Sequence, residues 1–395
     1  MKNHYDVIVV GLGAMGSATC YHLASRGAKV LGLERFDLPH AQGSSHGYSR
    51  HTKTVVYVDT PFEPFIGRSF ELWRLLEGET SQQILVTTGY LLMADTGSWD
   101  HLRGKVRHEV LSADELAYRY PQFTLESDYH GLYDPVGGLL RPELGIASHL
   151  IQALRRGAEI HGREAVTGWK ETTHSVEVET EHDRYSTDQV VFTGGSWTDR
   201  LVADLGITLT VSRQPLAWVW PARNAASFDV GSLPIWQIPA PEYDGEYYGF
   251  PMMPDHPGFK LALHTFGETS DPDELDRNAR PGDEEEVRAC LRRFIPDADG
   301  PLTAMRICMY TRTADELPVL DRHPACDRVT VGCGFSGSGF KFSCAFGEWL
   351  AETALGQPNT IVNESFRFDR LLASTNATGP GPHPGSVHHL KRNAT

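Results

Sequence analysis

The sequence predicts an α/β fold in which a βαβ domain with a mostly parallel sheet is interleaved with a second domain on a large mixed or antiparallel sheet. Three observations lead there. The chain opens on YDVIVV (5–10), a continuous apolar, β-branched run such as strands buried on both faces require, followed at once by a helix pattern and another apolar strand. Between 210 and 305 the pattern changes to alternating strands separated by turn residues. Near 328 the order of apolar strand, glycine-rich turn and helix returns.

Composition bounds the answer. A chain of 395 residues is too long for one simple core and implies two or three domains. A formal net charge of -15 argues against nucleic acid and anionic membrane as partners. The six cysteines form no CxxC pair and have no zinc-like spacing with histidine, so reduced thiols and no metal site are expected. There is no 18-residue apolar run and no basic-then-apolar leader, which points to a cytoplasmic protein.

Taken in order, AMGSATCYHLASRG (14–27) reads as a helix closed by Gly27, and AKVLGLE as a strand ending at Glu34. Residues 64–78 form an amphipathic helix with Phe70, Trp73 and Leu76 on one side, and Trp73, like Trp349, reads as packing. Residues 82–140 mix short strands and turns. RPELGIASHLIQALRRG (141–157) is a helix with Pro142 in its first turn and Gly157 at its end. SVEVETE and QVVFTGGSW are strands, as are RQPLAWVWP, EYYGFPMM and GFKLALHTFG, which read as antiparallel. An acidic helix covers 283–295, and RVTVGC leads through glycines into the helix KFSCAFGEWLAETALG. The first domain is thus assigned 1–80, 140–210 and 306–372, the second 81–139 and 211–305. Residues 373–395, rich in Gly, Pro, Asn and His, read as a mobile tail whose His383, His388 and His389 are solvated.

GLGAMG places Gly11, Gly13 and Gly16 in the GxGxxG spacing after a buried strand and at the opening of a helix, answered by Glu34 at the end of the next strand. Gly11 permits the tight turn, Gly13 lets backbone approach a pyrophosphate, and Gly16 lets helix and strand pack closely. The helix start supplies free N–H groups for phosphates, and Glu34 can accept ribose hydroxyls. NAD and FAD both fit this much. Two later features favour FAD: Gly194 and Gly195 at a strand end, and Gly334, Gly337 and Gly339 before the final helix. A helix start there suits the flavin edge that gains negative charge on reduction. Cys308, alone in an apolar run, reads by itself as a small buried hydrophobe.

The segments GSSHGYSR, YYGFP, GFKLALHTFG, CMYT and GFSGSGFKF, in this order between residue 5 and about 370, resemble the monomeric sarcosine oxidase and N-methyltryptophan oxidase family. The resemblance implies a Rossmann-like FAD-binding domain joined to a large mixed sheet. It also implies FAD tethered through its 8α-methyl group to the cysteine of CMYT, here Cys308, which replaces the core-filling reading. His46 and Arg50 would lie close to the flavin ring, with Ser44 of the same segment among the cofactor contacts. Lys260 would sit near flavin N5 through water and promote reduction of oxygen. Lys341, beside the last glycines, would help hold cofactor and substrate carboxylate, and Tyr248 and His264 would flank the bound amine. The implied activity is hydride transfer from a secondary amine to flavin N5, with O2 reduced to H2O2, by a monomer.

One departure stands out. The family has a carboxylate-clamping arginine three residues after Arg50, and here that position is Lys53. A lysine keeps the charge and loses the bidentate fork. An acid substrate between Lys53 and Lys341 stays the leading expectation, and Tyr48 before the arginine is expected to reshape the entry. A biosynthetic oxidase of a cyclic imino acid, and an amine dehydrogenase with another electron acceptor, are the alternatives.

Overall fold

The computed structural model describes residues 4–95 and 99–373. The tail expected at 373–395 therefore lies outside the described residues, apart from Ala373, which ends the helix Asp369–Ala373.

The strand His4–Val10 is the axis of the first sheet. It runs parallel to Val30–Leu33 on one side and to Arg184–Phe192 on the other, and Glu159–His161 continues the parallel set beyond Val30–Leu33. Arg184–Phe192 is shared along its length. Its first half pairs antiparallel with Val176–Thr180, while Val190–Phe192 pairs parallel with Cys326–Cys333. That junction joins the last β-strand–turn–helix segment to the first βαβ unit. The helix Ala14–Ser25 is buried on nearly every side, because it is pressed against both Ser343–Ala354 and Pro142–Arg155. Contact with Ser343–Ala354 is so close that a Cβ on Gly347 would lie 2.5 Å from that of Ala18.

The second sheet has eight strands, in the order Leu302–Arg312, Thr210–Val219, Phe259–His264, Gly245–Phe250, Ile235–Ala240, Tyr90–Ala94, His130–Asp134, Glu109–Leu111. Every neighbour is antiparallel except Ile235–Ala240 against Tyr90–Ala94, so the sheet is mixed, as expected. Leu302–Arg312 pairs along its whole length with Thr210–Val219. The domain division expected between 305 and 306 thus falls inside one continuous strand. LTAMRICMYTR has no turn residue at which a domain boundary would break it.

One face of this sheet is closed by the helix Pro281–Phe294, whose Val287, Cys290, Leu291 and Phe294 share a core with Tyr247, Leu261 and Leu263. Arg213 anchors that helix start to the sheet, donating to Oδ1 and Oδ2 of Asp283 at 2.6 and 2.7 Å and to the carbonyl of Asn278 at 2.7 Å. Removing one partner of such a pair leaves the other charge uncompensated. Arg213→Ala is expected to lower stability by about 3 kcal/mol, read as a fall in the urea midpoint at unchanged slope.

Candidate active site

Where the first sheet's glycine turns meet, a cleft of ≈ 420 Å³ runs along Gly11–Met15, Glu34, Gly43–Ser45, Gly194 and Gly195, and Gly334–Gly337. The three glycines of GLGAMG occupy the geometry expected of each. Gly11 has φ +87°, a Cβ on Gly16 would fall 1.9 Å from the Gly11 carbonyl oxygen, and a Cβ on Gly13 would meet nothing nearer than Ser45 Oγ at 4.0 Å. Gly13 thus faces open space at the start of the helix. Glu34 accepts from the backbone N–H of Leu12 at 2.8 Å and of Phe36 at 3.0 Å, which leaves acceptor capacity on both oxygens for a diol. Gly337, Gly339 and the first residue of the turn Phe340–Phe342 also line the cleft.

A second, smaller cavity of ≈ 80 Å³ adjoins it, and Arg50, Tyr310, Gly337 and Phe340 line both. Its wall follows from the period of two in a strand. Cys308 and Tyr310 lie on Leu302–Arg312, and Tyr248 and Phe250 on Gly245–Phe250, at alternate positions of each strand. With Gln237, Leu216 and His264 they line the cavity from the sheet face opposite the helix Pro281–Phe294. Lys53 and Tyr57 follow the short strand Arg50–Thr52, and Lys341 arrives from the glycine-rich turn. Among the described residues, no carboxylate lines this cavity.

The loop 46–50 is held from two sides. Gly47 (φ +96°) and Tyr48 (φ +68°) both donate their N–H groups to Glu143, at 2.7 and 3.1 Å. Lys260 Nζ donates to the carbonyls of Gly47 and Ser49 at 2.7 and 2.9 Å and lies 3.2 Å from Ser49 Oγ. It sits over the rings of Phe250 and Trp218 and lines neither cavity, one layer behind the loop. Burial, then the charge of Arg50, pull its pKa well below the ordinary value. Tyr48 also turns away from both cavities. Its left-handed backbone directs the ring between Trp218 and His256, where its hydroxyl accepts from Arg306 at 2.6 Å, so it does not shape the entry as expected.

Arg50 donates to the carbonyls of Ser49 and Ser44 at 2.8 Å each and approaches Cys308 Sγ at 3.5 Å. Cys308 is 2% exposed and packs with Leu216, Trp218 and Ala262, yet it also lines the small cavity, which the other five cysteines do not. His46 is buried, and neither ring nitrogen has a hydrogen-bond partner; burial followed by Arg50 and Lys260 pushes its pKa down to about 3. His46 lines neither cavity, so its two unmet ring nitrogens lie behind the wall, beside Ser45 and Gly47. The open space at Gly13 and the remaining acceptor capacity of Glu34, both on the cleft wall, fit the residues present to a dinucleotide such as FAD.

His264 Nδ1 is paired with the Tyr310 hydroxyl at 2.9 Å, and burial raises the pKa of both Tyr310 and Tyr248. Burial, then Arg50, lowers Lys341 to about 7; burial lowers Lys53 to about 8. Sequence reasoning missed Glu143, Tyr310 and the half-buried His51, whose Nε2 meets the Gly249 carbonyl at 3.1 Å. It also missed Gln237, a lone polar residue in the fully buried strand IWQIPA, which was the available signal.

Residues 6–353 match the family model described as DAO, FAD dependent oxidoreductase. The monomeric sarcosine oxidase of Streptomyces avermitilis is 38% identical over 95% of this chain and 100% of its own. The peroxisomal sarcosine oxidase of Homo sapiens is 32% identical over 94% and 97%. The N-methyl-L-tryptophan oxidase of Yersinia pestis is 29% identical over 93% and 99%. Among solved structures, the open form of NikD, an amino acid oxidase of nikkomycin biosynthesis, superposes with a TM-score of 0.80 at 25% identity, over 93% of this chain and 97% of its own. The chain therefore belongs to the FAD-dependent oxidoreductase family, in its sarcosine oxidase and N-methyltryptophan oxidase branch, and is a flavin-dependent amine oxidoreductase.

Proposed function

We propose that the protein oxidises a small secondary amine bearing a carboxylate, of the N-methyl amino acid type, with O2 as the electron acceptor and H2O2 as the second product. The observation that carries this reading is the small cavity beside the cleft: two buried lysines face it, no carboxylate does, and it shares Arg50 and Tyr310 with the cleft. A carboxylate-bearing ligand would meet Lys53 and Lys341 there, with Tyr248 and His264 flanking the amine end. FAD, when bound, supplies the acceptor for a hydride from the carbon next to nitrogen. The chain's own work is placement and charge. Tyr57, Phe250 and Phe340 keep water from the reacting carbon, and Arg50 holds a fixed positive charge between the two compartments.

The test is a panel of N-methyl amino acids, proline, pipecolate and uncharged N-methylamines, scored by peroxide and, for N-methyl donors, by formaldehyde. Stoichiometric peroxide with the carboxylated amines is expected. Turnover confined to an artificial acceptor would overturn the oxidase reading. Turnover as efficient with uncharged amines would overturn the role of the lysines.

The same reading makes Cys308 the attachment point for FAD. Its thiol lines the small cavity 3.5 Å from a guanidinium nitrogen of Arg50, and Arg50 lines both compartments. Acid precipitation of the protein is expected to leave the yellow colour in the pellet, with intact mass raised by one FAD. Cys308→Ala is expected to release all colour to the supernatant. Colour retained in the pellet of Cys308→Ala would exclude this cysteine.

A further inference from the structure

Behind the small cavity lies a chain of buried polar groups that the reaction described above does not use. Lys53 Nζ donates to Gln237 Oε1, and to the Tyr90 hydroxyl at 3.3 Å. Tyr90 in turn donates to Gln237 Oε1 at 2.9 Å. On its other side, Gln237 Nε2 donates to Oε2 of Glu246. Glu246 is 1% exposed, Gln237 3% and Lys53 5%. The pieces come from distant parts of the sequence: Lys53 after the strand Arg50–Thr52, Tyr90 on Tyr90–Ala94, and Gln237 and Glu246 on the consecutive paired strands Ile235–Ala240 and Gly245–Phe250.

The chemistry of the three groups fixes their order. An ammonium only donates and a carboxylate only accepts, so an amide between them must turn its NH2 to Glu246 and its oxygen to Lys53. Two of the three ammonium N–H bonds of Lys53 are then spent on Gln237 and Tyr90, while Lys53 still lines the cavity. A lysine lacks the rigid fork of an arginine and needs an external partner to fix its direction. We propose that Glu246, acting through Gln237, is a positioning residue that holds Lys53 as an ammonium with its remaining N–H directed at the carboxylate of the substrate. This rests on the amine-oxidation reading of the site given above.

The charged and titratable groups facing Lys53 are Tyr57 and His51 from the cavity wall, Tyr90 behind it, Glu246 behind Gln237, Lys341 across the cavity, and Asp134. Glu246 favours the charged form of Lys53, while burial and Lys341 oppose it. Loss of the Glu246 charge should therefore move the loss of carboxylate binding at high pH to lower pH.

The test is a double-mutant cycle on the holoenzyme with Lys53→Met, Glu246→Gln and the pair. Steady-state kinetics would use an N-methyl amino acid and an uncharged N-methylamine, and acetate binding would be read from the flavin absorbance. Glu246→Gln is expected to raise KM for the carboxylated amine and Kd for acetate about tenfold, with kcat within about twofold. The uncharged amine should be unaffected. In the Lys53→Met background the same substitution should add nothing, because its effect runs through Lys53. Equal losses in both backgrounds, or equal losses with both amines, would overturn the proposal. If Glu246→Gln does not fold, Glu246→Met takes its place in the cycle with the same expected outcomes. If the parent enzyme neither turns over amines nor binds acetate, the amine-oxidation reading itself fails; if it does both and Glu246→Gln matches it, only the positioning role fails.

Discussion

Lys260→Met is expected to slow reoxidation of the reduced enzyme by O2 about 10²- to 10³-fold while changing anaerobic reduction by amine less than about threefold. The expectation rests on charge. One-electron reduction of O2 creates a negative charge, and a buried cation nearby is worth far more there than in water. Lys260 lies in a place made for a cation. Gly47 O and Ser49 O accept from it, and it sits 4.6 Å above the Phe250 ring and 5.3 Å from that of Trp218. Burial and Arg50 work the other way and hold its pKa well below the ordinary value, so a new anion close by would favour the ammonium. The same contacts tie down the loop that carries His46 and Arg50, so that Lys260 would have a double role. A loosened loop would disturb amine oxidation as well. Stopped-flow traces of both half-reactions separate the two, and equal losses in each would assign Lys260 to the loop alone.

That double role shows what the sequence could and could not disclose. Gly11, Gly13, Gly16 and Glu34 were legible because one short contiguous segment contains the strand, turn and helix start that give each its purpose. Tyr248, Lys260 and His264 were singled out only through the family resemblance, since their strands alone read as ordinary alternating ones. Lys260 lies behind the loop and not on a cavity wall, because the turn at Gly47 and Tyr48 brings backbone carbonyls across it. Glu143 shows the opposite limit. In the sequence it is an acidic residue in the first turn of a helix, as many helices have, and only the fold brings it to the N–H groups of residues 47 and 48. The parallel pairing of Ile235–Ala240 with Tyr90–Ala94 joins segments 145 residues apart (235 against 90), and without it neither Gln237 nor Tyr90 has any visible link to Lys53. The strand of Cys308 has the same limit: the motif around it points to the cofactor, and only the fold pairs it with Thr210–Val219.

Gly16→Ala and Gly13→Ala, two substitutions that differ only in where a methyl group is placed, are expected to fail in different ways. At Gly16 the new Cβ would lie 1.9 Å from the Gly11 carbonyl oxygen and 2.6 Å from Thr193 Oγ1. Gly11 O already accepts from Thr193 Oγ1 at 2.7 Å, and Gly11 N donates to the Leu33 carbonyl at 2.8 Å, so the turn is fixed from both neighbouring strands and cannot yield. The helix Ala14–Ser25 would have to move away from the sheet and out of its close contacts with the helices Ser343–Ala354 and Pro142–Arg155. A loss of about 3 kcal/mol and a colourless protein are expected. At Gly13 the methyl would enter open space at the helix start, where only Ser45 Oγ comes within 4.0 Å. The apoprotein should then unfold within about 1 kcal/mol of the parent, and the loss should appear in flavin content, since the methyl stands where a pyrophosphate must approach. Urea unfolding of apoprotein and the flavin-to-protein absorbance ratio read the two effects independently. A yellow, fully stable Gly16→Ala protein would show that helix and strand need not meet this closely, and the packing argument for the third glycine would fall.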